Sequence, residues 1–234
     1  MRQLLLVTGT DTGVGKTYVS RGILRSCARA GSAMFPLKLV ETGCAVERGE
    51  LVPSDGQALA AAAGRSDLER VAPLRFGLAA NPTMAARHAG RSLSLADLME
   101  AVDAAHSVAD HVLLEGAGGI LVPLTDELSF ADLAEEVRAT VLVVARDSLG
   151  TLNHTLLTLE ALRRRGLSVL AVVLNAVGPE PCALEHRSEL ERLAPRTAIW
   201  GPLPWMEHAT DDQLADAIEA AGFAPRVERA GRPQ

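Results

Sequence analysis

The stretch "GTDTGVGKT", residues 9–17, follows the apolar run "QLLLVT" and leads into an amphipathic segment. Its second part, Thr12, Gly13, Val14, Gly15, Lys16 and Thr17, has the make-up of an anion-holding turn between a strand and a helix. In such a turn the backbone N–H groups converge on a phosphate and the helix dipole favours its charge. A lysine at the end of the turn reaches the outer phosphates, and the hydroxyl after it binds Mg2+. The usual glycine-rich pattern places a glycine where this chain has Thr10; the glycine present, Gly9, comes one residue early. Lysine usage points the same way. Of 23 basic residues only Lys16 and Lys38 are lysines. A compact ammonium fits close to a phosphate in a tight turn such as the one Lys16 ends, whereas for Lys38 the composition alone is only suggestive in an arginine-biased chain.

A second candidate is "LLEGAGG", residues 113–119. Glu115 closes an apolar strand, a place where nucleotide enzymes hold magnesium, and Gly116, Ala117 and Gly118 let backbone approach a phosphate. Four further sites are weaker taken singly. Asp55 in "PSDGQAL" is equally a helix cap. Asn175 at the end of "VLAVVLN" offers a donor and an acceptor to an adenine edge, and is equally a turn residue. "SLGTLNH", residues 148–154, opens a helix with small residues, which suits an anion or an ordinary cap by Thr151. "GPLPW", residues 201–205, reads as a rigid turn carrying an aromatic wall.

These residues need a scaffold, and the pattern supplies one. Apolar strands are expected at 3–8, 33–40, 110–116, 140–145, 168–175 and 197–200, with Pro36 implying irregular pairing in the second. Helices are expected at 16–30, 55–63, from Ser94 over 95–105, from Ser129 over 130–137, at 151–165, near 183–193 and near 211–221. Residues 64–93 give no clear pattern. Continuous apolar strands alternating with helices imply an α/β fold: a doubly wound, mostly parallel sheet in three α/β/α layers, as in P-loop NTPases. Strand C-terminal ends then share one edge, where ligands bind. One domain over 1–225 is expected, with 226–234 a disordered tail.

Composition excludes several classes. The chain has 234 residues, 48% of them hydrophobic, and a net charge of −6. That balance argues against nucleic-acid binding. No apolar run has membrane-spanning length, and the N-terminus lacks signal-peptide anatomy. Three widely spaced cysteines, Cys27, Cys44 and Cys182, argue against a disulfide framework or zinc site and for reduced thiols in the cytoplasm.

Together the motifs resemble those of the dethiobiotin synthetases. The resemblance runs through "VTGTDTGVGKT", "KLVETG", "LEGAGGILVPL", "SFADLA", "GTLNHTLLTLEAL" and "GPLPW". The chain departs from the family pattern at Gly13, Leu39, Thr42 and Ala176. The resemblance implies an ATP- and Mg2+-dependent ligase of biotin biosynthesis that joins CO2 to 7,8-diaminononanoate through a carbamate and a carbamic–phosphoric anhydride. It implies Thr17, Asp55 and Glu115 as metal ligands, and Lys16 and Lys38 as catalytic residues. Thr12 to Thr17, Asp55, Glu115 to Gly118, Asn175, Pro204, Trp205 and Met206 would bind nucleotide. Thr12, Lys38, Thr42, Gly150, Thr151, Leu152 and Asn153 would bind substrate, the last four across a homodimer interface. Alternatives on the same fold are an amide-forming ligase and a partitioning-type ATPase switch. The first usually carries a glutaminase domain with a catalytic cysteine, and no motif surrounds Cys182. The second carries a lysine where this chain has Asp11. A dinucleotide binder would rest on "GAGG" alone, without the full glycine fingerprint.

Overall fold

The computed structural model describes residues 2–180 and 182–225. The expected tail at 226–234 lies outside them. In chain order the elements begin with strand β1 (Gln3–Gly9), helix α1 (Lys16–Arg29), β2 (Phe35–Lys38), β3 (Val40–Thr42), β4 (Ala45–Glu47) and β5 (Glu50–Val52). Then come α2 (Ser54–Ala62), α3 (Leu68–Val71), β6 (Leu74–Phe76), α4 (Pro82–His88), α5 (Leu95–His106), β7 (His111–Gly119) and α6 (Phe130–Glu136). The last are β8 (Thr140–Arg146), α7 (Thr151–Arg164), β9 (Ser168–Asn175), α8 (His186–Leu193), β10 (Ile199–Leu203) and α9 (Asp211–Ala221).

The main sheet has six strands in the order β10-β9-β8-β1-β7-β2, all paired in parallel. Its strands alternate between two apolar faces, as the period of two requires. Leu4, Leu6, Val141, Val143, Val172 and Leu174 pack on one side with α5, α6, α7 and α8. Leu5, Val7, Leu142, Val144, Ala171 and Val173 pack on the other with α1, α2 and α9. The expected three-layer α/β/α architecture is therefore present. Strand β1 lies between β7 and β8, so the connection after it emerges where the winding reverses, the crevice in which such sheets bind ligands. Among the described residues no helix is long and apolar enough to cross a membrane.

Several helix starts carry the expected chemistry. Ser94 with Asp97, and Ser129 with Asp132, form reciprocal capping boxes at α5 and α6. The expected strand at 33–40 is instead two. β2 joins the main sheet, whereas β3 pairs with β6 in a separate two-stranded sheet. Pro36 does not disturb β2; the register from Phe35 to Lys38 against β7 is unbroken. The physical reason is position: β2 is an edge strand, so an N–H absent on the outer side breaks no ladder bond. The segment 64–93 resolves into α3, β6 and α4. "GPLPW" is not a turn. Gly201 to Leu203 belong to β10, with a cis Gly201–Pro202 bond and a register shift against β9 between Trp200 and Leu203.

Candidate functional site

The loop after β1 explains its early glycine. A Cβ on Gly9 would lie 2.6 Å from the Asp11 carbonyl oxygen and 3.0 Å from Lys16 Nζ. Only a residue without a side chain lets the chain turn beneath the lysine. Lys16 Nζ donates to that Asp11 carbonyl at 3.1 Å, and Thr12 N donates to Asp11 Oδ1 at 2.6 Å. Gly15 opens α1 in the left-handed region, at φ 95°, with no side-chain cap. Asn175 packs against it: its Nδ2 donates to the Val14 carbonyl at 3.0 Å, and its Oδ1 is buried without a partner.

Strand register builds the floor. Lys38 on β2 pairs directly with Glu115 on β7, which in turn pairs with Val7 on β1. Lys38 Nζ donates to Glu115 Oε1 and to Asp55 Oδ2, both at 2.7 Å. The Thr17 hydroxyl lies 2.9 Å from Glu115 Oε1 and 3.1 Å from Asp55 Oδ1. Four side chains from α1, β2, α2 and β7 thus meet at one point. Asp55 does not cap α2; Pro53 holds the cap position, and the aspartate side chain turns into the site.

Electrostatics separates the two lysines. Burial lowers the Lys16 pKa to about 8, only partly offset by Glu115. Burial would lower Lys38 too, but the charges of Glu115 and Asp55 overcome it and hold Lys38 above its ordinary value. Asp55 sits below its ordinary value, because Lys38 and the Thr17 hydroxyl outweigh its own burial.

These groups face a cavity of about 640 Å³, which Thr12, Gly13, Gly15, Thr42, Ala117 and Gly118 also line. A hydroxyl and two carboxylates are the hard oxygen donors that Mg2+ takes. Glu115 Oε2 is buried with no partner, which a cation at this point would satisfy. The donor set therefore fits the metal. Other expected residues lie apart from the cavity. Val14 packs into the core beneath the loop. Gly116 sits against the Val7 carbonyl and the Phe130 ring, at distances that leave a Cβ in ordinary contact. Pro204, Trp205 and Met206 follow β10, tied to α1 by Tyr18 Oη donating to the Pro204 carbonyl at 2.8 Å. Gly150, Thr151, Leu152 and Asn153 open α7 outside the cavity. There Gly150, not Thr151, is the cap residue, at φ 95°, and Thr151 Oγ1 is buried without a partner.

Three residues near the site escape motif reasoning. Arg146 at the end of β8 donates to the Gly13 carbonyl at 3.3 Å. Tyr18 follows Thr17 and braces the 204–206 segment. Glu41 is 4% exposed and grips the start of α2. Its one sequence signal is an acid inside the apolar run before Thr42. A separate cluster joins Asp147, Cys182 and His186. His186 Nδ1 lies 2.7 Å from Asp147 Oδ1 and 3.7 Å from Cys182 Sγ. Both neighbours meet the same ring nitrogen, so the three cannot act as a Cys–His–Asp relay, which needs opposite nitrogens.

A family model described as an AAA domain matches residues 3–213. The chain is 46% identical over 204 residues to an ATP-dependent dethiobiotin synthetase of Anaeromyxobacter dehalogenans, covering 86% of this chain and 89% of that one. It is 39% identical over 220 residues to a dethiobiotin synthetase of Pseudomonas aeruginosa, covering 91% and 94%. A ParA family ATPase from Chlorobium tepidum superposes with a TM-score of 0.52 at 13% identity, over 93% of this chain and 91% of that one. That likeness shows the P-loop NTPase-like fold.

Proposed function

The chain belongs to the dethiobiotin synthetase family, and from that premise we propose that it closes the ring of dethiobiotin from 7,8-diaminononanoate, CO2 and ATP. The observation that carries this is that Lys38, Thr17, Asp55 and Glu115 meet at one point and, with Lys16, line a single cavity. One amine of the diamine adds to CO2 and loses a proton, giving a carbamate. A carbamate oxygen takes the γ-phosphoryl group of ATP, and the bond to ADP breaks. The second amine then attacks the carbamoyl carbon and gives up a proton as phosphate leaves, and the cyclic urea is complete.

Phosphoryl transfer asks a protein for alignment and charge stabilisation more than for a nucleophile. Lys16 faces the γ-phosphate, and Lys38 faces the carbamate and the transferring group. Thr12 and Thr42 hold the substrate, and the N–H groups from Gly13 to Thr17 cradle the phosphates. Bound Mg2+, held by Thr17, Asp55 and Glu115, supplies charge neutralisation on the phosphate oxygens. The backbone at Gly116 to Gly118 borders the nucleotide, and Asn175 with Pro204, Trp205 and Met206 borders the base. A homodimer brings Gly150 to Asn153 of one subunit to the substrate carboxylate in the other, which also keeps water from the anhydride. We take residues 1–225 as one domain, working in the cytoplasm.

The test is incubation with 7,8-diaminononanoate, bicarbonate, Mg2+ and ATP, followed by mass spectrometry for dethiobiotin. ADP formed without the diamine, and no dethiobiotin with it, would instead indicate a switch ATPase.

A further inference from the structure

We propose that Glu41 is a positioning residue that sets Asp55 for divalent-cation binding by capping α2 from outside the helix; this rests on the assignment of Asp55 as a metal ligand. Helix α2 begins without a cap of its own, since its cap residue, Pro53, offers no side-chain acceptor. The first N–H groups of a helix have no partner within it. Glu41 supplies one through space. Its Oε1 accepts from Asp55 N at 2.9 Å and lies 3.3 Å from Ser54 Oγ, and its Oε2 accepts from Gly56 N at 2.9 Å. Both carboxylate oxygens are therefore spent on the turn that carries Asp55. The negative charge also lies at the positive end of the helix.

The surroundings make the grip rigid. Glu41 lies on β3, held in register opposite Arg75 of β6. Arg75 donates to the carbonyls of Ala72 and Leu68, at 2.6 and 2.9 Å. Ala72 in turn abuts α2: a Cβ on Gly56 would come within 2.6 Å of the Ala72 Cβ. So the small β3–β6 sheet and the turn after α3 fix the height of α2. Glu41 fixes its first turn, and Asp55 Oδ1 and Oδ2 are delivered to Thr17 and Lys38.

The experiment measures Mn2+ affinity by electron paramagnetic resonance, with kcat and the KM for the diamine alongside. Glu41→Gln keeps the shape, but its amide nitrogen would face the N–H of either Asp55 or Gly56 donor to donor, and the charge is lost. Expected is a metal affinity about 10-fold weaker, the scale on which an outer partner of a metal ligand acts, with the diamine KM little changed. Ala61→Gly, an exposed change in the same helix, weakens α2 without touching its cap and should leave Mn2+ affinity unchanged. Asp55→Asn should abolish tight Mn2+ binding. Unchanged affinity in Glu41→Gln, with loss in Asp55→Asn, overturns the role of Glu41 alone. Equal losses in Glu41→Gln and Ala61→Gly also overturn it, because general helix stability would then explain the effect. Unchanged affinity in Asp55→Asn overturns the ligand assignment itself, and the proposal with it.

Discussion

Two helix starts in this molecule are built alike and finished differently. Both α1 and α7 are 14-residue helices opened by a glycine at φ 95°, and neither has a side-chain cap. At α1 the chain completes the site itself, with Asn175 against the glycine, Lys38 and Glu115 below, and Asp55 opposite. At α7 it does not. A Cβ on Gly150 would meet only His154 of the same helix, at 3.9 Å, and Leu149 just before it is 88% exposed. An uncapped helix start leaves N–H groups that favour an anion in either case. What surrounds it decides whether one chain suffices, and the open start at α7 is the one we assign to a second subunit.

The largest effect should come at the finished end. Lys38→Ala is expected to lower kcat/KM by about 10²–10³-fold, the scale of removing one aimed charge from a transition state, with circular dichroism confirming the fold. Near-normal turnover would break the assignment. The two glycines test the contrast directly. Gly15→Ala must adopt a left-handed backbone and would place its Cβ 2.1 Å from Asn175 Nδ2. Gly150→Ala meets nothing nearer than His154, at 3.9 Å. Thermal unfolding should show about 1–2 kcal/mol lost at Gly150 from backbone strain alone and a clearly larger loss at Gly15. Equal losses would erase the difference between the two starts.

At the open end, Asn153→Ala should raise the diamine KM about 10-fold, near 1.4 kcal/mol, with kcat little affected. Leu149→Asp should shift the protein toward monomer in sedimentation velocity; an unchanged profile would remove Leu149 from the interface. The smallest effect concerns pH. Lys16 is held down by burial, so it is charged below about pH 8 and neutral above. A bound phosphate favours the charged form, so ATP affinity should stay level below that pH and weaken as pH rises through it. Binding at higher pH should take up a proton, measurable by calorimetry in two buffers. Lys16→Ala should flatten both responses.

The phosphate loop was legible because its parts are contiguous. Strand, glycine turn, lysine and hydroxyl lie within residues 3–17, and local chemistry fixes them. Glu115 was legible as an acid where acids are costly, at the end of a buried strand. The segment 64–93 was opaque because its short elements gain stability from tertiary contacts, not from periodicity, and β6 exists only as the partner of β3. The break after Lys38 was opaque for a similar reason: an apolar run does not record which sheet each half joins. Glu41 shows the same limit. An acid in a strand announces itself, but the N–H groups it serves lie 14 and 15 residues away in sequence.

By itself, then, the sequence determined the alternation of strands and helices, the anion turn and the donor types of the site, because these depend on neighbours along the chain. The tertiary structure decided that Lys38 stands opposite Glu115, that Asp55 faces inward rather than capping its helix, and that the start of α7 lies outside the cavity lining. Those depend on sheet register and on which element covers which, and no residue carries that information alone.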